Sequence, residues 1–164
     1  VGRAWDWDVV QFEILHPVPD PPPMSDNNAS CVLLIDASGL RVLLPGDIEA
    51  EAEHDLVVRG IDGPVDLLLA PHHGSRTSSS PEFVAATSAR RVIFSAGHAN
   101  RWRFPVAEVV SRWRAAGACL FNTAEEGALQ FGLSSSGTLT LDRWQRAEAS
   151  GVWLARPAAV EPCP

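Results

Sequence analysis

The stretch from Val65 to Ala70 is apolar except at Asp66 and breaks off at Pro71-His72-His73-Gly74. A short, nearly continuous apolar run ended by proline and glycine fits a strand buried on both faces, which is what a parallel sheet demands. The segments around it alternate in kind. Val9 to Leu15 reads as a first strand, followed by a loop from Pro17 to Asn28 that contains five prolines. Cys31–Asp36 and Leu40–Leu44 flank Ala37-Ser38-Gly39 and predict a hairpin. Ile48 to Arg59 predicts a helix, with Ile48, Ala52 and Leu56 on one face, Glu49, Glu51 and Glu53 at its positive end and Gly60 after it.

A second helix starts at Ser80-Pro81, and Arg91 to Ser95 reads as a strand. Pro105 opens a third helix, in which Val106, Val109, Val110 and Trp113 recur at helical spacing before Gly117. Ala118–Phe121, Ala128–Leu133 and Thr138–Leu141 predict short strands, the last two joined by the turn at Ser134 to Gly137. Strands alternating with helices give an α/β architecture. Residues 1–141 are expected to form one domain and residues 142–164 a weakly docked tail.

Composition removes several chemistries. All 13 basic residues are arginine, so mechanisms that need a lysine amine, including the phosphate-binding P-loop and Schiff-base catalysis, are excluded. Tyrosine is absent too. A net charge of −7 argues against a surface that grips nucleic acid everywhere. The charge is uneven, however: Asp47 to Asp66 holds seven acids against Arg59, and Arg90 to Arg114 holds six arginines against Glu108. No apolar run is long enough to cross a bilayer. The opening at Val1 rather than Met fits a piece of something longer. Cys31, Cys119 and Cys163 form no CxxC pair and read as reduced thiols.

Two strand ends carry ligand-type residues. Leu43-Leu44-Pro45-Gly46-Asp47 delivers a carboxylate where the next helix begins, and Leu69-Ala70-Pro71-His72-His73 delivers two imidazoles. Ligands bind at the carboxyl ends of strands in α/β sheets because the loops converge there. Carboxylate and imidazole suit zinc, manganese or iron. Asp47 serves equally well as a cap for the following helix. Adjacent histidines diverge, so one as ligand and the other facing substrate or supporting the first is the natural division.

Pro71-His72-His73-Gly74-Ser75-Arg76-Thr77-Ser78-Ser79-Ser80-Pro81-Glu82-Phe83 follows Leu44-Pro45-Gly46-Asp47-Ile48-Glu49 and Ser25-Asp26-Asn27-Asn28-Ala29-Ser30. Together with Ser95-Ala96-Gly97-His98-Ala99-Asn100-Arg101-Trp102, these strings closely resemble the carboxy-terminal metallo-β-lactamase-like domain of the ComEC competence family, across roughly residues 5 to 140. The resemblance implies the carboxy-terminal half of an αββα sandwich and a part in taking up single-stranded DNA. It further implies a metal-dependent phosphodiesterase or nuclease that degrades the strand left outside.

On that resemblance, Asp47 corresponds to a metal-bridging aspartate and His73 to the last metal-ligand histidine, while His72 completes the catalytic set, either facing substrate or supporting a ligand from behind. Arg76 and Arg101 are placed to pair with phosphate, and Asn100 and Trp102 to contact the strand. The cofactor is a divalent ion, zinc or manganese, in the complete domain, held weakly or not at all by this segment alone. The implied partners are DNA, the missing amino-terminal half of the domain, the membrane channel of the parent and, for the segment alone, a second copy. The parent is expected in the inner membrane with this domain on the outer, periplasmic face.

Two departures keep a second reading open. No HxH, HxxxH or HxDH string occurs, and Phe104 stands where many relatives carry histidine. A catalytically degenerate module that binds DNA or packs on the channel is therefore the alternative. A free-standing hydrolase of small phosphoesters or esters is weaker still, since GxSxG and SxxK are absent and the metal-ligand set is incomplete.

Overall fold

The computed structural model describes residues 3–20, 24–134 and 136–144. Seven strands form one sheet in sequential order: β1 (Ala4–Trp7), β2 (Val10–His16), β3 (Val32–Ala37), β4 (Leu40–Leu44), β5 (Leu67–Leu69), β6 (Arg91–Phe94) and β7 (Cys119–Asn122). The pairs from β1 to β4 are antiparallel. Those from β4 to β7 are parallel. The helices α1 (Ala50–Val58), α2 (Pro81–Thr87) and α3 (Ala107–Ala115) are the crossovers of the parallel part, and a short α4 (Thr123–Glu126) follows β7. A separate hairpin, β8 (Leu129–Leu133) with β9 (Leu139–Trp144), completes the described chain.

Alternation along the strands divides the apolar residues between two faces. Leu43, Leu68 and Val92 pack with Ala52 and Leu56 of α1, Phe83 and Val84 of α2, and Val109 and Trp113 of α3. Their neighbours Val42, Leu67 and Ile93 point the other way, together with Phe121, against Leu129, Phe131, Leu139 and Leu141 of the hairpin. The protein is α/β, with helices on one sheet face and an apolar opposite face, as one half of an αββα sandwich requires.

The hairpin reaches only part of that second face. Trp5 and Trp7 lie opposite Phe12 and Val10, which in turn oppose Ile35 and Ala37 and, through them, Val42 and Leu40. Residues paired in this way share one side of the pleat. Trp5 stacks on Phe12 with ring centroids 5.2 Å apart, and Trp5 and Trp7 remain 45% and 71% exposed. An apolar strip thus extends across β1 to β3 beyond the hairpin's cover.

Several expectations change. β1 precedes the first expected strand, and the run Val65–Ala70 is strand only at Leu67–Leu69. β9 runs through Trp144, past the expected start of the tail, and the rest of that tail, residues 145–164, lies outside the described residues. Cys119 is disulfide-bonded, which corrects the reading of three reduced thiols; Cys31 is free and exposed.

Candidate functional site

Three adjacent parallel strands bring their carboxyl ends together. β4 leads into Gly46-Asp47, β5 into His72-His73 and β6 into Ser95. The loops are tied across by a hydrogen bond from the His72 N–H to the Gly46 carbonyl, 3.0 Å, and another from the Ala50 N–H to the Thr77 carbonyl, 2.9 Å. Asp47 is not the cap of α1: the residue in that position is Glu49, whose side chain makes no capping bond. The Asp47 N–H instead donates to Ser30 Oγ at 3.1 Å, and the buried Asn28 accepts the Glu49 N–H at 2.8 Å. The proline-rich loop therefore holds the Asp47 turn in place from below.

His72 (φ 47°), His73 (φ 56°) and Gly74 (φ 81°) form three successive left-handed residues. Such conformations cost non-glycine residues about 1 to 3 kcal/mol each and persist where the surroundings impose them. Here the surroundings do: a Cβ on Gly74 would lie 2.7 Å from Pro105 Cβ and 2.8 Å from Phe94 Cδ1, so the backbone is pinned against both. The Val106 N–H donates to the Gly74 carbonyl at 3.0 Å, fixing the turn to the start of α3.

This backbone sends the two rings to different partners. His73 Nδ1 lies 2.7 Å from the Ser95 carbonyl oxygen, and its Nε2 lies 3.5 Å from Asp47 Oδ1. A carbonyl only accepts, so Nδ1 carries the proton and Nε2 turns its lone pair to the carboxylate. Two acceptors face one another, an arrangement that a proton or a cation between them resolves. Ligands bound at about 2.0–2.1 Å to a tetrahedral ion stand about 3.4 Å apart, so the pair fits two corners of such a site. Both side chains are about half exposed, 48% for His73 and 45% for Asp47. Among the described residues no group of three or more His, Cys, Asp or Glu could hold a metal, so this segment offers a partial donor set.

His72 turns away, its Nδ1 3.4 Å from both Glu49 Oε1 and Thr77 Oγ1, and Thr77 Oγ1 donates to the same carboxylate oxygen at 2.7 Å. Its ring meets the edge of Phe104 at 5.8 Å between centroids. Arg76 is exposed beside this cluster. Asn100 bonds within its own loop. Its Nδ2 donates to the Phe104 carbonyl at 2.8 Å and its Oδ1 accepts the Phe104 N–H at 2.9 Å, so the amide clamps the loop. Arg101 and Trp102 are both exposed, the guanidinium carbon 4.1 Å from the indole centroid.

Among the other histidines, His54 is exposed and His98 Nδ1 contacts the Ala124 carbonyl oxygen at 3.2 Å. His16 is buried against the Asn28 carbonyl at 2.6 Å. Sequence reasoning missed Ser30, Asn28, Glu49, Thr77 and Ser95. All five lie in the strings that carry the family resemblance, but nothing in those strings singles them out as the partners of Asp47, His72 and His73.

No family model matches the sequence. Competence protein ComA of Neisseria gonorrhoeae is 41% identical over 136 residues, 82% of this chain and 20% of that protein. Recombination protein 2 of Haemophilus influenzae is 36% identical over 129 residues, 79% of this chain and 16% of the relative. ComE operon protein 3 of Bacillus subtilis is 32% identical over 122 residues, 74% and 16% respectively. A Thermotoga maritima structure assigned to the metallo-β-lactamase superfamily superimposes with a TM-score of 0.41 at 15% identity, over 70% of this chain and 56% of that one. The chain spans a fifth or less of the length of the curated relatives it matches. Over most of its own length it is similar to one stretch of much longer competence and recombination proteins.

Proposed function

We propose that this segment belongs to a ComEC-like DNA-uptake protein and supplies Asp47 and His73 to a metal-dependent phosphodiesterase that degrades the strand not transported. The single observation behind this reading is the 3.5 Å approach of His73 Nε2 to Asp47 Oδ1, with the other ring nitrogen held by Ser95. The similarity to competence proteins supports the assignment to DNA uptake.

A divalent ion bound there, zinc or manganese, supplies Lewis-acid stabilisation of the phosphate and an acidified water. Asp47 and His73 hold one edge of that position, and Ser95 keeps the His73 ring oriented. His72, backed by Glu49 and Thr77, lines the side towards Phe104 and shapes where the phosphodiester lies. Arg76 offers the phosphate a charge-assisted hydrogen bond. The remaining donors come from the amino-terminal half of the domain, whose sheet packs on the apolar strip of β1 to β3; in the isolated segment a second copy takes that place. The parent sits in the inner membrane with this domain on the outer face. Among the described residues no helix is long and apolar enough to cross a membrane.

In the complete domain, Asp47→Ala is expected to abolish divalent-metal-dependent cleavage of a single-stranded DNA substrate, read as product on a gel. Cleavage at the parent rate refutes the assignment. The partial donor set together with Phe104 favours a second reading, a degenerate module that binds DNA without cutting it. A complete domain that binds DNA but shows no metal-dependent cleavage with Asp47 intact selects that reading.

A further inference from the structure

We propose that Trp102 is a stacking platform for an unpaired base of a nucleic-acid strand and that the Arg101 guanidinium is its removable cover. This rests on the reading of Asp47 and His73 as a phosphodiester site. Trp102 is 59% exposed, in the loop between β6 and α3. Its ring lies near-parallel to Phe104, 11° between planes and 6.4 Å between centroids. Phe104 meets the His72 ring, and His72 meets His73 at 6.5 Å. A continuous row of rings therefore leads from the Asp47 carboxylate to the exposed indole.

The row is held at its middle by Asn100, whose amide bonds the Phe104 backbone in both directions. The outermost ring, Trp102, faces solvent. Over that ring lies a planar, cationic group 4.1 Å from its centroid. A guanidinium stacked there occupies the kind of position a base takes, and it can turn from the ring to a backbone phosphate. Arg76, Arg101 and Arg103 have no carboxylate partner among the described residues, so all three are available to phosphates.

Stacking on an indole requires a base out of the duplex, because paired bases already have both faces covered by their neighbours. Aromatic platforms accept any base but only from a single strand. The row of rings thus selects single strands next to the cleavage position without reading their sequence.

The experiment is fluorescence anisotropy of the 164-residue chain with a short labelled DNA single strand and with its duplex, in the presence of a chelator. The parent chain is expected to prefer the single strand. Trp102→Ala should weaken single-strand binding about tenfold and change duplex binding less than about twofold, while Trp102→Phe keeps most of the affinity. Arg101→Ala should lower the salt slope by about one. An unchanged unfolding midpoint shows that the variants fold. Undiminished single-strand binding by Trp102→Ala, an equal loss for the duplex, or no single-strand binding by the parent overturns the proposal. Chelation removes cleavage from the measurement, so failure of the nuclease reading appears separately, in the Asp47→Ala cleavage assay on the complete domain.

Discussion

Replacing Glu53 with alanine is expected to destabilise the fold by about 3 kcal/mol or more, since it strands buried backbone donors. Glu53 lies in α1 with no exposed surface. Its two carboxylate oxygens accept the N–H groups of Ser79 and Ser80, the latter at 2.7 Å. Those residues form the entry to α2, where Ser80 Oγ also accepts the Phe83 N–H. Arg112 of α3 donates to the Ser79 carbonyl, so one point joins three helices. Burial pushes the Glu53 carboxyl up from its ordinary value, against the pull of the Ser80 and Ser79 N–H groups and of Arg112.

Glu53→Gln should be costly too, because its amide NH₂ must face one of the two donors. Urea denaturation followed by far-ultraviolet circular dichroism reads both variants. A loss below about 1 kcal/mol for Glu53→Ala, the scale of a single ordinary hydrogen bond, would mean that water or another acceptor replaces the carboxylate.

The second large effect is a pH dependence. Glu126 is buried at the end of α4, with Oε2 lacking any partner among the described residues. Its pKa is raised to about 7, first by burial and then by the neighbouring Glu125, against the Asn122 backbone N–H. The native state therefore keeps this proton up to about pH 7, whereas the unfolded chain releases it near the ordinary value of 4.5. Between those values the native state binds more protons, so stability must fall as pH rises. The loss is on the order of 2 to 3 kcal/mol and is complete above the folded-state value.

Glu126→Gln removes the titrating group. Its unfolding free energy should fall less steeply than that of the parent from pH 5 to pH 8 and should exceed it at pH 8. Parallel slopes for parent and variant across that interval would place the ionised carboxylate in contact with water and refute the assignment.

The architecture was legible because it is written in local patterns. The hairpin of β3 and β4 follows from two apolar runs around Ser38-Gly39, both residues left-handed, with the Gly39 N–H held by Asp36. Helix α3 follows from its apolar spacing, and Trp113 is fully buried as that spacing requires. β1 was not read from the sequence: the alternation Ala4-Trp5-Asp6-Trp7 spans only four residues before a turn, which makes a weak signal.

At the site, the strand ends and the divergence of the two histidines could be read in advance. Which ring meets Asp47 depends on the left-handed turn that Pro105 and Phe94 enforce, and those residues are distant in sequence. Glu53 escaped for the same reason. Among the acids of α1 it looks like a solvated partner of the helix's positive end, and only donors 26 and 27 residues away reveal it as a buried joint. The Asn100 amide closes a turn onto Phe104, a pairing that the residue string alone does not reveal.

Each strand of the large sheet hydrogen-bonds to its immediate successor in the chain, and Asp47, His73 and Ser95 follow β4, β5 and β6, none of which is a border strand. Opening at a sheet border begins with β1 or β7 and works inward. Fraying at either margin therefore leaves the candidate centre assembled until the borders have already been lost. Amide exchange should show protection rising from both rims to a maximum at β4, so that the candidate centre comes undone only after the border strands.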